Sequence, residues 1–211
     1  ISQLGVGNEV TIEELARMML KLQERGCHNI NFVTPTHFTP QILKAIELAV
    51  ENGLNIPLLW NTNGYESVEI LRLLEGIISI YLPDAKYMDA QIAQRYSNAP
   101  PNYPEVNLAA IKEMWRQAGS LVVDKDGIAQ KGMIVRHLVL PEGIAGTKQV
   151  LKMLAQEISP NVYVSLMSQY FPANKASSCP EIDRKISHEE YDDACNCLDE
   201  EGLHEGWIQP Y

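Results

Sequence analysis

Four apolar runs in this chain end in short polar clusters, and a fifth carries a cation inside it. Residues 29–33 lead into Thr34-Pro35-Thr36-His37, and residues 56–60 into Asn61-Thr62-Asn63-Gly64. The run 77–82 leads into Pro83-Asp84-Ala85-Lys86, and 162–167 into Ser168-Gln169-Tyr170. Arg136 lies within the apolar stretch "VRHLVLP". One polar strand end is unremarkable. Five together describe a pocket of hydroxyls, amides, one carboxylate and two cations.

Each feature also has a plainer explanation. Asp84 and Lys86 are two apart, so on a strand they face one side, yet an exposed pair of this kind contributes little. Asn63-Gly64 is a turn signal, but a turn does not require Asn61 and Thr62 as well. His37 could be a capping or packing histidine, and the other four histidines show no metal-ligand spacing. Arg136 is harder to dismiss, because a charge within an apolar strand is costly unless paired. It calls for Asp84 or for a ligand carboxylate gripped by its fork. Cys195-x-Cys197 lies in a helical pattern and is not a usual zinc or iron–sulfur spacing. Cys27 reads as a small buried hydrophobe.

The elements that hold these residues alternate. Thr11 and Glu14 form a capping box before a helix over 12–24. Strands follow at 29–33, 56–60, 77–82, 133–140 and 162–167. Helices lie between them: one capped by Thr39 with Pro40 at its first position, one capped by Ser67, one over 105–118 and one capped by Thr147 and running to about 157. Asp126-Gly127 predicts a hairpin-like lead-in to the fourth strand. Ser187 and Glu190 form a second capping box for a last helix ending near 202. This alternation implies parallel strands with helical crossovers in one domain over 1–211. An open doubly wound sheet and a complete or partial barrel both fit. No Gly-rich nucleotide fingerprint follows a strand, which puts the barrel ahead. In either architecture ligands bind at the carboxyl ends of the strands.

Seventeen basic against 27 acidic residues give a net charge of −10, which disfavours a nucleic-acid binder. No apolar run reaches the roughly 18 residues of a membrane span, and no signal-peptide pattern opens the chain. The expectation is a cytoplasmic protein without membrane or nucleic-acid partners.

"NTNG" after one strand, Asp-x-Lys after the next and "VRHLVLP" on the following one resemble the radical S-adenosylmethionine superfamily. With "NFVTPTHFTPQI" and "RYSNAP", the chain looks like homologues of pyruvate formate-lyase-activating enzyme, in order along its length. The resemblance implies a partial (β/α)6 barrel of parallel strands. It also implies a 4Fe–4S cluster and S-adenosylmethionine at the carboxyl edge, together generating a 5′-deoxyadenosyl radical that abstracts hydrogen. Thr34, Pro35 and Thr36 match the strand end near the methionine amino group. Asn61 and Thr62 match polar contacts of the next strand, where many activating enzymes have Asp in place of Asn61. Asp84 and Lys86 match the pair near methionine and ribose, and Arg136 an arginine for the carboxylate. Met167 and Gln169 fall near the adenine, while His37 and Asn98 are left for the substrate side. Such a zwitterionic, hydroxyl-rich ligand wants this mixture of donors and acceptors. The implied partners are a glycyl-radical-type protein and a reductant such as flavodoxin or ferredoxin.

One departure stands out. The family holds its cluster by Cys-x3-Cys-x2-Cys, and this chain has no such motif. It opens on Ile1, in a stretch like that which follows the cysteine loop. The expectation is therefore that the first strand and cluster loop are missing, leaving five strands and no metal ligands in this chain. Two alternatives stand beside this reading. One is an α/β-barrel lyase or aldolase using Lys86, and the other a cluster-free binding module.

Overall fold

A computed structural model describes residues 7–211. Helix α1 (Ile12–Glu24) starts with the expected box, Thr11 accepting from the Glu14 amide and Glu14 accepting from the Thr11 amide. Then come β1 (Ile30–Val33), α2 (Thr39–Glu51), β2 (Leu58–Thr62), α3 (Val68–Leu73), β3 (Ile80–Pro83), α4 (Ala90–Ser97) and α5 (Tyr103–Ala118). The short β4 (Val122–Val123) and β5 (Ala129–Leu138) follow, then α6 (Thr147–Met153), β6 (Tyr163–Met167), α7 (His188–Glu200) and β7 (Gly206–Ile208).

The strand order is β1-β2-β3-β5-β6-β7, and every neighbouring pair on that path is parallel. β4 pairs antiparallel with β5 across the turn at Asp124–Ile128, forming the hairpin lead-in. The sheet is an open α/β partial barrel. Side-chain direction alternates along each strand. In β2 the pattern is buried, half-buried, buried, half-buried, buried, and β5 continues it from Met133 to Leu138. Trp60, Tyr81 and Met133 stand in one register row, fully enclosed, in a core with Leu71, Leu74, Ile111, Met114, Leu151 and Leu154. Burying a side chain of this size contributes roughly 1.5–3 kcal/mol. The alternate positions, including Asn61 and Arg136, face the open side of the sheet.

Three expectations are corrected. Among the described residues there are six parallel strands rather than five, the sixth being Gly206–Ile208. It has three exposed residues and no periodic pattern, and exists because Gly206 lets the chain approach the Val164 carbonyl, which a side chain would overlap. The long connection after β3 holds an additional helix, α4, capped by Asp89 accepting from the Gln91 and Ile92 amides. Thr39 and Thr147 are not caps but the first helical residues. A 3-10 turn over Thr36–Phe38 feeds directly into α2, and Gly146 in the left-handed region (φ 64) precedes α6. Both threonine hydroxyls are used elsewhere, that of Thr39 donating to the Thr36 carbonyl.

Candidate functional site

Arg136, Asp84, Asn61 and Lys86 meet at the carboxyl edge of β2, β3 and β5. Asp84 continues β3 and forms a parallel bridge with Arg136. Arg136 Nη2 lies 2.6 Å from Asp84 Oδ1 and donates to Asn61 Oδ1 at 2.8 Å. Lys86 Nζ lies 3.0 Å from Asp84 Oδ2. Asp84 is thus a carboxylate between two cations, with its side chain 13% exposed. Its Oδ1 contact with Arg136 is a close ion pair without hydrogen-bond geometry, and Arg136 Nε, buried, has no acceptor among the described residues. A buried donor left empty costs about 1–3 kcal/mol, and native proteins rarely leave one.

The turn "NTNG" frames this cluster. Asn63 Oδ1 accepts from the Tyr65 amide, a side-chain turn. Gly64 adopts φ +78, and any side chain there would overlap the Asp84 carbonyl and Asn107 Nδ2. Asn107, 1% exposed on α5, donates to both the Gly64 carbonyl (3.0 Å) and the Asp84 carbonyl (2.9 Å). Behind the sheet His137 is fully enclosed, with Nδ1 2.7 Å from the Ala85 carbonyl and Nε2 3.0 Å from Thr147 Oγ1. Burial pushes its pKa down to about 4, partly offset by the bond to Ala85. Tyr103 Oη accepts from the Lys86 amide at 3.1 Å, and burial raises the pKa of this phenol.

The other residues anticipated from the sequence are placed differently. Thr62 follows Asn61 and so points to the helix-covered side, 2% exposed, donating to Glu66 Oε1. Thr36 donates to the same oxygen at 2.6 Å, and the Trp60 indole to it at 3.4 Å. Thr34 is exposed, in the left-handed region (φ 52), and its amide extends the β1–β2 ladder to the Asn61 carbonyl. Pro35 is buried, and His37 is exposed against Phe38. Gln169 is exposed, its amide 3.5 Å from Met167 Sδ. Asn98 is exposed at the end of α4. No side-chain hydrogen bond ties Thr34, His37, Met167, Gln169 or Asn98 to the Arg136 cluster.

Glu66, Tyr103, Asn107 and His137 were not identified as site residues from the sequence. Asn107 had a signal: it sits on the buried stripe of α5 with Ala110, Ile111, Met114 and Ala118, where an amide needs partners.

The arrangement fits a small molecule bearing a carboxylate, which the guanidinium and Lys86 ammonium would meet. S-adenosylmethionine has such a carboxylate. A 4Fe–4S cluster does not fit these residues: the four cysteines are separate free thiols, and among the described residues no three His, Cys, Asp or Glu are grouped for a metal. Burial and neighbouring carboxylates raise the pKa of Cys195 and Cys197, which works against thiolate ligation.

No family model matches the chain. An uncharacterised protein of Methanocaldococcus jannaschii is 28% identical over 192 residues, 90% of this chain, which spans about half (52%) of that relative. Among solved structures, a domain of pyruvate-formate lyase-activating enzyme from Bacteroides vulgatus superposes with a TM-score of 0.60 at 16% identity, covering 86% of this chain and 98% of that one. The chain shares the open, parallel α/β fold of that domain. HydG, a maturase of the [FeFe]-hydrogenase, shares it as well, with a TM-score of 0.59 at 12% identity over 95% of this chain and 45% of that one. Within this partial barrel the Arg136 cluster occupies the carboxyl edge, where parallel α/β folds bind ligands. No helix among the described residues is long and apolar enough to cross a membrane.

Proposed function

We propose that this chain is the S-adenosylmethionine-binding barrel of a radical S-adenosylmethionine enzyme. The carrying observation is Arg136: a guanidinium at the carboxyl edge of a parallel barrel, beside Lys86 and Asn61, with its side chain a quarter exposed on the open face (25%). The methionine carboxylate meets the accessible end of that guanidinium together with the Lys86 ammonium, and Asp84 holds the two cations side by side. When bound, the cofactor supplies hydrogen-abstraction chemistry. Arg136, Lys86, Asn61 and Asp84 would bind and orient it.

The test is calorimetric titration of S-adenosylmethionine into the parent and into Arg136→Ala. A charge-assisted hydrogen bond contributes roughly 1.5–3 kcal/mol, so the variant binds about tenfold or more weakly. Equal affinities would sink the assignment.

The finer reading is an activating enzyme that takes hydrogen from a glycyl-radical-type protein, with electrons from flavodoxin or ferredoxin. Its support is the likeness to the pyruvate-formate lyase-activating enzyme domain. Anaerobic electron paramagnetic resonance of the natural protein with a reduced flavodoxin and a candidate partner tests it, a glycyl signal being the expected outcome. The aldolase alternative is disfavoured because Lys86 is engaged as a cation with Asp84 rather than presented as a free amine.

A further inference from the structure

Three consecutive backbone groups under the Asp84–Lys86 pair are each held by a buried side chain from another element. Asn107 of α5 donates to the Asp84 carbonyl, His137 of β5 faces the Ala85 carbonyl, and Tyr103 of α5 accepts from the Lys86 amide. The Ala85 amide in turn donates to the Arg136 carbonyl at 2.9 Å. A three-residue strand extension would ordinarily be free to shift, since its two charged side chains project from an edge. Here it is fixed from behind at every residue.

His137 is the central member. A carbonyl can only accept, so Nδ1 carries the proton, and Nε2 then accepts from the Thr147 hydroxyl. The ring is neutral, fully enclosed and satisfied at both nitrogens. It is adjacent in sequence to Arg136 but lies on the opposite side of the sheet. One strand therefore delivers the guanidinium to the open face and, from the covered face, sets the turn carrying its anionic partner. We propose that His137, held as the Nδ1–H tautomer by the Ala85 carbonyl and seated by the Thr147 hydroxyl, is a positioning residue that fixes Asp84 and Lys86 against Arg136. Asn107 and Tyr103 complete the clamp. The inference rests on the ligand reading of this cluster given above, but its geometric core can be tested without ligand.

The first measurement uses the unaltered chain. Long-range nitrogen–proton correlation spectra should show one histidine as a neutral Nδ1–H tautomer throughout pH 5.5–8. The other four, His28, His37, His188 and His204, are all exposed. A buried ring found as the Nε2–H tautomer would overturn the proposal.

The second measurement compares His137→Phe, which fills the space without a donor, and His137→Asn, whose amide nitrogen lies near the Nδ1 position. Amide hydrogen exchange at Ala85 and Lys86 should quicken about tenfold in His137→Phe relative to Val164, two strands away in order, because local opening is separable from global unfolding. His137→Asn should restore much of the protection. S-adenosylmethionine affinity should follow the same order, falling about fivefold or more in His137→Phe. Exchange that rises uniformly over the sheet, or His137→Asn behaving like His137→Phe, would reduce His137 to a packing residue. If the parent binds no S-adenosylmethionine, the ligand reading fails, while the exchange pattern still decides the clamp. Should His137→Phe not fold, Thr147→Val serves instead. The Ala85 carbonyl should still hold the Nδ1–H tautomer, while loss of the hydroxyl that seats the ring raises exchange at Ala85, and unchanged exchange there would count against the clamp.

Discussion

Gly64 and Asp84 meet backbone to backbone, and the gap between them is too narrow for a methyl group. The contact joins the turn after β2 to the extension of β3, and Asn107 ties both carbonyls together. Two segments 20 positions apart in sequence thereby behave as one rim.

Gly64→Ala is expected to lower stability by about 2–4 kcal/mol. It adds strain at a positive φ to an overlap with backbone that cannot rotate away. Urea unfolding measures the loss, and a change below half a kilocalorie would mean that the rim yields freely.

Arg136→Lys should recover only part of the ligand affinity lost in Arg136→Ala. Lysine restores the charge opposite Asp84 but not a planar fork reaching Asn61 and a carboxylate together. Titration of both variants with S-adenosylmethionine gives the ranking parent, lysine, alanine. Lysine equal to the parent would show that charge alone is read.

Glu66 gathers Thr36, Thr62 and the Trp60 indole onto one oxygen while 2% exposed. Glu66→Leu leaves the buried Trp60 and Thr62 donors and the half-buried Thr36 hydroxyl without their acceptor, so a loss of about 2–4 kcal/mol is expected. Glu66→Gln keeps an acceptor oxygen and should lose less than half as much. Chemical denaturation separates the two, and equal losses would show that volume rather than hydrogen bonding holds the β1–β2 edge.

His137 makes stability depend on pH in a definite direction. Its pKa falls from the ordinary 6.5 to about 4 in the fold, so between those values the unfolded chain binds the extra proton. Stability therefore declines as pH drops from about 6.5 towards 4, by at most about 3 kcal/mol. The charges acting on the ring are Asp84, which raises its pKa, and Lys86, which lowers it. Denaturant midpoints measured across this range should fall in the parent and flatten in His137→Phe. A parallel decline in both would assign the effect to carboxylates.

Strand-end logic made Asn61, Asp84, Lys86 and Arg136 legible, because the carboxyl edge of a parallel sheet gathers whatever polar residues follow its strands. Thr62 was read into the same group, although the two-residue alternation of a strand already separates it from Asn61. Glu66 left no such trace. An acid in a turn looks solvated until three donors from one strand and a 3-10 turn are folded around it. Asn107 showed only as an amide on a buried helix stripe; the carbonyl it holds lies 43 positions away, beyond the reach of local pattern. The sixth strand was invisible because its pairing depends on the bare backbone of Gly206 and on a partner, β6, rather than on its own periodicity.

The opposite-facing neighbours Arg136 and His137 bear on how this gene can change. Substitutions at the two codons are judged by different tests, one by what meets the open face and the other by what the helix layer will accept. A deletion of one residue within Met133–Val135 would exchange those roles, pressing a permanent cation into the core and leaving the neutral ring outside. Between homologues β5 should therefore drift in composition while its length stays frozen. Insertions and deletions should collect instead in the Asp124–Ile128 turn before it.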